Sequence, residues 1–146
     1  MKTAVLMATL ALGMAGEVVA QVACPCAGLG IQQSNVLTLV SGKTACASRG
    51  GDRWQEFHAP NGDVIDYKLG PNDKTDPSSK VGTWVAVAAT RGSPQNVTYN
   101  YGPGQVYSYA VCLPAGNAAA GPFAFCNVAT KEVIQPVRLQ SGQGPC

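Results

Sequence analysis

The sequence predicts an all-β domain: an antiparallel meander of about eight short strands that forms a small barrel or a sandwich and is disulfide-bonded. Three observations predict this class. Short runs of alternating apolar and polar residues recur after residue 35, as in half-buried strands. Clusters of Gly, Pro, Asn, Asp and Ser separate these runs and mark turns. No helical period occurs beyond the first twenty residues, and all six cysteines follow them.

Residues 1–20 are predicted to be a secretory signal peptide. Lys2 gives a positive start, residues 4–15 form an apolar run that is short for a membrane span, and residues 18–20 (Val-Val-Ala) suit a cleavage site. An uncleaved membrane anchor is the alternative. We therefore expect a secreted, periplasmic or cell-surface protein.

A single domain, residues 36–146, is expected after a neutral tail, residues 21–35, that has no strong pattern. The predicted strands cover residues 36–46, 53–59, 64–69, 81–88, 97–101, 106–113, 122–128 and 133–140. Turn residues bound each run. Pro136 in the last strand predicts an edge strand or a bulge, because proline cannot donate a hydrogen bond to a neighbouring strand.

The second and third predicted strands flank Asn61-Gly62, the dipeptide most typical of a two-residue hairpin turn. Such a turn sets three opposing pairs: His58 with Ile65, Glu56 with Tyr67, and Trp54 with Leu69. Side chains alternate between the faces of a strand, so these six share one face. That face is the more apolar one, and we expect it to point inward.

This inward face suggests a ligand-binding site inside a barrel. The residues that would line this site are Trp54, Glu56, His58 and Tyr67 from the hairpin, and Trp84 from the next predicted strand. Glu56 and His58 lie two residues apart on one strand and form the best candidate acid–base pair. His58 is the only histidine, however, and no nucleophile motif accompanies it. A buried polar pair, or an opposite register that exposes both, is the alternative. We therefore predict no catalytic residue and expect a protein that is not an enzyme.

An even number of cysteines behind an export signal predicts disulfide bonds in an oxidising compartment. The six are Cys24, Cys26, Cys46, Cys112, Cys126 and Cys146. The sequence leaves their pairing open. Cys112 and Cys126 flank one loop and are the first pair to consider, and a bond to Cys146 would hold the C-terminus. Cys24-Pro25-Cys26 lacks further zinc ligands at a suitable spacing, so we expect no metal and no cofactor.

Tyrosines crowd one predicted hairpin around residues 102–105: Tyr99, Tyr101, Tyr107 and Tyr109. The simplest register puts the first two on one face and the last two on the other. Some should then lie on the surface, where tyrosine is common at interfaces; ordinary strand propensity is the alternative. The tail residues Val22, Leu29 and Ile31 are further interface candidates.

Charged residues are scarce, at 12% of the chain, and none lies between Arg91 and Lys131. The net charge is +2 without a basic run, so nucleic acid is not an expected partner, and a membrane is expected only through an uncleaved signal segment. Interface cores are poor in charge and rich in aromatic residues. We therefore expect an exported structural or interaction protein, a subunit of an extracellular or cell-surface filamentous assembly, which binds itself or another exported protein. The alternative is a lipocalin-like barrel that binds a small apolar ligand.

Several motifs carry a resemblance to known proteins. They are LVSGKTAC at residues 39–46, GGDRWQEFHAPNGDVIDYK at 50–68, and VGTW at 81–84. In these motifs the chain resembles a group of small exported proteins of proteobacteria, over residues 36–126. That resemblance implies a context and no mechanism. A looser similarity is to the lipocalin-like barrels, the calycins, which carry Gly-x-Trp on their first strand; here Gly82-Thr83-Trp84 falls on about the fourth predicted strand.

Overall fold

The computed structural model describes residue 26 and residues 28–67, 79–88 and 90–146. Its elements are β1 (Ile31–Gln32), α1 (Val36–Val40), β2 (Lys43–Arg49), β3 (Asp52–His58), β4 (Asp63–Asp66), β5 (Ser79–Ala88), β6 (Gln95–Asn100), β7 (Val106–Leu113), β8 (Phe123–Asn127) and β9 (Val133–Ser141). Nearly all of the regular structure is strand, which confirms the all-β prediction. Among the described residues, no helix is long and apolar enough to cross a membrane.

The strands β2 to β9 form a closed antiparallel barrel. Each of these strands pairs with the next in sequence, and β9 returns to pair with β2. Closure leaves no free edge among these eight strands. Of the two architectures predicted from the sequence, the barrel is therefore the one observed. The additional strand β1 pairs with the end of β7, with Ile31 opposite Leu113.

The first predicted strand, residues 36–46, is wrong in its first half. Val36–Val40 form the helix α1, and the strand β2 begins only at Lys43. Val36 and Val40 are four residues apart, lie on one side of the helix and are fully buried in the barrel core. Gly42 follows with a φ of 71°, a left-handed conformation that ends helices. The helix packs on β2, β5 and β6.

The hairpin between β3 and β4 has a three-residue loop instead of the predicted two-residue turn. Ala59 N–H donates to the Asp63 carbonyl at 2.9 Å, and Gly62 N–H donates to the Ala59 carbonyl at 2.9 Å. Pro60 suits the second position of a type I turn, and Gly62, with φ 89°, supplies the left-handed residue that completes this loop type.

The longer loop shifts the register of β4 by one residue. The observed pairs are His58 with Val64, Phe57 with Ile65, and Glu56 with Asp66. The predicted pairing of His58 with Ile65 and of Glu56 with Tyr67 is therefore wrong, and Leu69 lies outside the described residues. A one-residue shift moves every side chain to the other face. On β4, Val64 and Asp66 therefore take the inner positions in place of Ile65 and Tyr67. On β3, the residues predicted to point inward, Trp54, Glu56 and His58, do so.

Aromatic rings fill the barrel interior. Trp54 meets Tyr99 edge to face with the ring centroids 5.9 Å apart, and Phe125 in the same way at 5.7 Å. Trp84, Tyr99 and Phe125 are buried. Each such ring removes about 150–250 Å² from water, so this cluster supplies much of the apolar burial that holds the barrel closed.

The disulfides join the ends of the chain to the outside of the barrel. Cys26 is bonded to Cys112 and Cys46 to Cys146, and Cys126 is disulfide-bonded as well; Cys24 lies outside the described residues. The pairing of Cys112 with Cys126 is wrong. These two are diagonal neighbours on β7 and β8, about 7–8 Å apart, which is too far for a disulfide. The prediction that Cys146 anchors the C-terminus is confirmed.

Part of the predicted tail is bound to the outer wall of its own barrel. Cys26 packs with Cys112 and Cys126 in a small second cluster, which Leu29 partly covers. Gln33 N–H donates to the Val111 carbonyl at 2.8 Å, beyond the end of β1. The described part of the tail therefore extends this chain's own sheet. Val22 lies outside the described residues.

Pro136 lies in an interior strand, because β9 pairs with both β2 and β8. The edge-strand prediction is wrong, but the bulge prediction is confirmed. Phe123 pairs with Val137 and Phe125 with Ile134, so β9 carries one extra residue between these pairs.

Candidate functional site

The barrel has two different ends. At one end the helix α1 covers the interior, where Val36 and Val40 join the core. At the other end, where β2 finishes and β3 begins, the interior opens into a cavity of about 660 Å³. We call this cavity the mouth. Its apolar and aromatic lining residues are Trp54, Tyr101, Tyr107, Tyr109 and Ile134, and its polar lining residues include Arg49, Arg53, Glu56, Asp66, Asn127 and Glu132.

The tyrosines reach the mouth because of a second hairpin register that differs from the predicted one. Tyr101 N–H donates to the Gln105 carbonyl and Gln105 N–H to the Gly102 carbonyl, both at 3.0 Å. These bonds enclose a loop of three residues, 102–104. Gly104 has a φ of 74°, the conformation that a type II turn needs after proline.

In this register Tyr99 lies opposite Tyr107 and Val97 opposite Tyr109. Tyr99, Tyr101, Tyr107 and Tyr109 therefore all belong to the inner face of β6 and β7, and the predicted division between two faces is wrong. Tyr99 and Tyr109 are buried, Tyr101 is partly buried, and Tyr107 is 41% exposed at the rim. Of the other interface candidates, Leu29 is partly buried and Ile31 is 73% exposed.

A hydrogen bond crosses the inside of the mouth. The Tyr101 hydroxyl donates to both carboxylate oxygens of Glu56, at 2.7 and 2.8 Å. Burial, and then the negative charge of Glu56, raises the pKa of Tyr101 well above its usual value. The hydroxyl therefore stays protonated and remains a donor. Burial likewise raises the pKa of Tyr109, against the effect of its hydrogen bond with Asn127.

His58 and Trp84 lie deeper, toward the end that α1 covers. His58 is fully buried; its Nδ1 lies 3.1 Å from the Lys43 carbonyl and its Nε2 2.7 Å from the Tyr99 hydroxyl. Burial lowers the pKa of His58 to about 4, although the Lys43 carbonyl opposes this. The Trp84 indole donates to the Ala59 carbonyl at 2.9 Å. These contacts are structural, and neither residue lines the mouth.

The rim of the mouth is held by polar contacts. Arg49, at the end of β2, forms an exposed ion pair with Glu132 at 2.6 Å. Glu132 lies at the end of the loop between β8 and β9. The side-chain oxygen of Asn127 holds this loop, because it accepts from Ala129 N–H at 2.9 Å and from Thr130 N–H at 3.0 Å. The loop between β8 and β9 is thereby tied to the neighbouring strand β2 at the rim.

Of the five predicted ligand-binding residues, Trp54 and Glu56 lie together in the mouth. Tyr67 is partly buried just after β4 and does not line the cavity. The sequence did not indicate that Asp66 lines the cavity, nor that Tyr101, Tyr107 and Tyr109 do so. Pro60 and Pro103 were the available signals, because proline at the second turn position favours the loops observed.

No group of three or more metal-ligating side chains occurs within the described part of the chain. Comparisons with protein-family models, with curated proteins and with solved structures gave no match for this chain.

Proposed function

We propose that this protein is a non-catalytic carrier or receptor that binds one small, largely apolar organic molecule in the mouth of its barrel. The observation that carries the proposal is the mouth itself. It is a concave space of about 660 Å³, within the usual range of small-molecule sites, at the open end of a closed barrel. Eight-stranded barrels of this size can hold one small ligand.

The side chains of the mouth favour a ligand that contains a flat ring. Trp54 and three tyrosines supply ring faces and edges, and Tyr107 stands at the entrance. Ring pairs add about 0.5–1.5 kcal/mol beyond simple burial. The polar residues of the mouth include the Tyr101–Glu56 pair, Asp66 and the arginines at the rim, and these can orient polar substituents of the ligand. A ring that carries polar substituents suits this distribution.

The disulfides indicate a non-reducing compartment. We further propose that residues 1–20 direct export, so that the ligand is met in the periplasm, at the cell surface or outside the cell. A partly enclosed aromatic site provides affinity without a covalent step.

The experiment is a titration of the purified, oxidised protein with the uncharged fluorophore N-phenyl-1-naphthylamine. We expect saturable binding with one site and quenching of tryptophan fluorescence through Trp54. Tyr107→Ala removes an exposed ring of the mouth and should weaken binding about 3- to 10-fold, the equivalent of one ring contact. Val87→Ala, on the outside of β5, is the matched control and should leave binding unchanged. Absence of saturation, or equal losses in both variants, would refute the proposal.

A second candidate is the assembly subunit expected from the sequence. Val85 and Val87, two residues apart on the outer face of β5, are about half exposed, and a partner that packs on this face would cover both of them. Size-exclusion chromatography of the wild type and of the variant Val85→Ser/Val87→Ser distinguishes the two candidates. Oligomers that disappear in the variant favour assembly; a monomer in both cases removes this candidate.

A further inference from the structure

A second cavity, separate from the mouth, lies on the outer wall beside the Cys46–Cys146 disulfide. Its volume is about 360 Å³. Arg138 on β9 and Gln55 on β3 are both paired with Cys46 on β2, so the three residues form one row across neighbouring strands. Two strand spacings separate the outer members by about 10 Å. Arg53 lies two residues before Gln55, opposite Ser48, and so shares this face.

Two positively charged side chains, Arg53 and Arg138, line the cavity. Arg53 and Arg138 are exposed, and neither forms an ion pair with any residue that the structure describes. Among the residues that the structure describes, no aspartate or glutamate side chain lines the cavity; Cys146, which also lines it, carries the α-carboxylate of this chain. Guanidinium groups present several donors in a fixed plane that matches the oxygens of a carboxylate or a phosphate.

Gln55 gives an independent indication of a ligand. It is 1% exposed, and its side-chain oxygen accepts the N–H of Cys146 at 2.7 Å. That donor fixes the orientation of the amide, because only oxygen can accept. The Nε2 group is therefore a buried donor, and it has no hydrogen-bond partner. Buried donors almost always have an acceptor, and a molecule bound in the cavity, which Gln55 lines, would supply one.

We propose that this cavity binds an oxyanion, with Arg138 and Arg53 as charged donors and the Gln55 amide as the neutral donor at its base. The ligand class comprises sulfate, phosphate and organic carboxylates, which share the acceptor oxygens that this set of donors recognises. The site lies next to the disulfide that anchors the C-terminus, so an occupied site would join β9, β2 and β3 to that anchor.

The test is an NMR titration of the ¹⁵N-labelled, oxidised protein with sodium sulfate, phosphate or acetate, at ionic strength held constant with sodium chloride. We expect saturable shifts of the Gln55 side-chain amide and the Cys146 backbone amide. If sulfate and phosphate bind at least five-fold more tightly than acetate, the ligand is a free inorganic anion. If acetate binds more tightly than sulfate and phosphate, the ligand is an organic carboxylate.

Arg138→Gln should weaken anion binding at least five-fold, whereas Arg91→Gln, an exposed arginine in the loop between β5 and β6, should not change it. Arg53 also lines the mouth, so a substitution there could affect both cavities. Arg138 lines only the second cavity, and the Arg138→Gln variant should therefore bind N-phenyl-1-naphthylamine as the wild type does. Shifts that do not saturate, or equal effects of both substitutions, would overturn the proposal.

Discussion

His58 and Tyr99 are hydrogen-bonded across the barrel interior, with His58 Nε2 2.7 Å from the Tyr99 hydroxyl oxygen. They belong to β3 and β6, which are not neighbours in the sheet. The carbonyl of Lys43 can only accept, so Nδ1 carries a proton and donates to it. Because burial lowers the pKa of His58 to about 4, the imidazole is neutral at pH 7, and Nε2 accepts from the Tyr99 hydroxyl.

This relationship predicts a loss of stability in mild acid. The pKa of His58 is 6.5 in an unfolded chain and about 4 in the fold, so the unfolded state binds the extra proton between these values. Stability is full above pH 6.5 and falls as the pH drops toward 4. The free energy of unfolding should decrease by about 2 kcal/mol between pH 7.5 and pH 5, as measured by urea denaturation at each pH.

The control for this prediction is His58→Gln, which keeps a donor and an acceptor but does not titrate in this range. Its free energy of unfolding should be lower at pH 7.5 but nearly constant down to pH 5. A slope equal to that of the wild type would assign the acid sensitivity to other groups.

The hydrogen bond from Tyr101 to Glu56 predicts that Tyr101→Phe destabilises the fold. A buried carboxylate loses a donor that contacts both of its oxygens, and hydrogen bonds to charged groups contribute about 1.5–3 kcal/mol. Thermal and urea denaturation should show a decrease of that size. Tyr107→Phe is the matched control, since that hydroxyl has no hydrogen bond to any described residue. Equal stabilities of the two variants would contradict the prediction.

Gly82 is predicted to be required for the packing of β5 on β6. A Cβ atom at this position would lie 2.5 Å from the Asn100 carbonyl oxygen and 3.1 Å from the Tyr101 ring. The carbonyl belongs to the strand ladder and cannot move freely, so Gly82→Ala should cost about 1–3 kcal/mol. A Cβ atom at Gly144 would meet no atom within 4 Å, so Gly144→Ala should leave the free energy of unfolding unchanged. Urea denaturation of the two variants measures the difference.

Removal of either described disulfide should destabilise the protein strongly. The bonded cysteines are 86 residues apart in Cys26–Cys112 and 100 apart in Cys46–Cys146. Closing such long loops restricts the unfolded chain and contributes about 2–5 kcal/mol. Double Cys→Ser variants should lose that much in urea denaturation without reductant. Peptide mapping of the wild type should recover both pairs; a peptide that links Cys112 to Cys126 would contradict the pairing.

The sequence by itself determined the meander. Period-two alternation and turn residues placed eight strands close to their observed positions, because both signals arise from residues near one another in the chain. The inner face of β3, with Trp54 and Glu56, was also predictable, since alternation decides it within one strand. So was the anchoring of the C-terminus, which follows from a cysteine at position 146.

Only the tertiary structure decided the hairpin registers, the cysteine partners and the helix α1. Both hairpin loops hold three residues, and this one-residue difference placed Asp66 and the tyrosines inside. Five residues form a helix at 36–40 because the barrel buries Val36 and Val40, whereas a helix so short is not stable alone. A closed barrel brings the inner side chains of all eight strands into one interior. The registers that pack this interior well depend on residues far apart in the chain, and local sequence patterns do not reveal them.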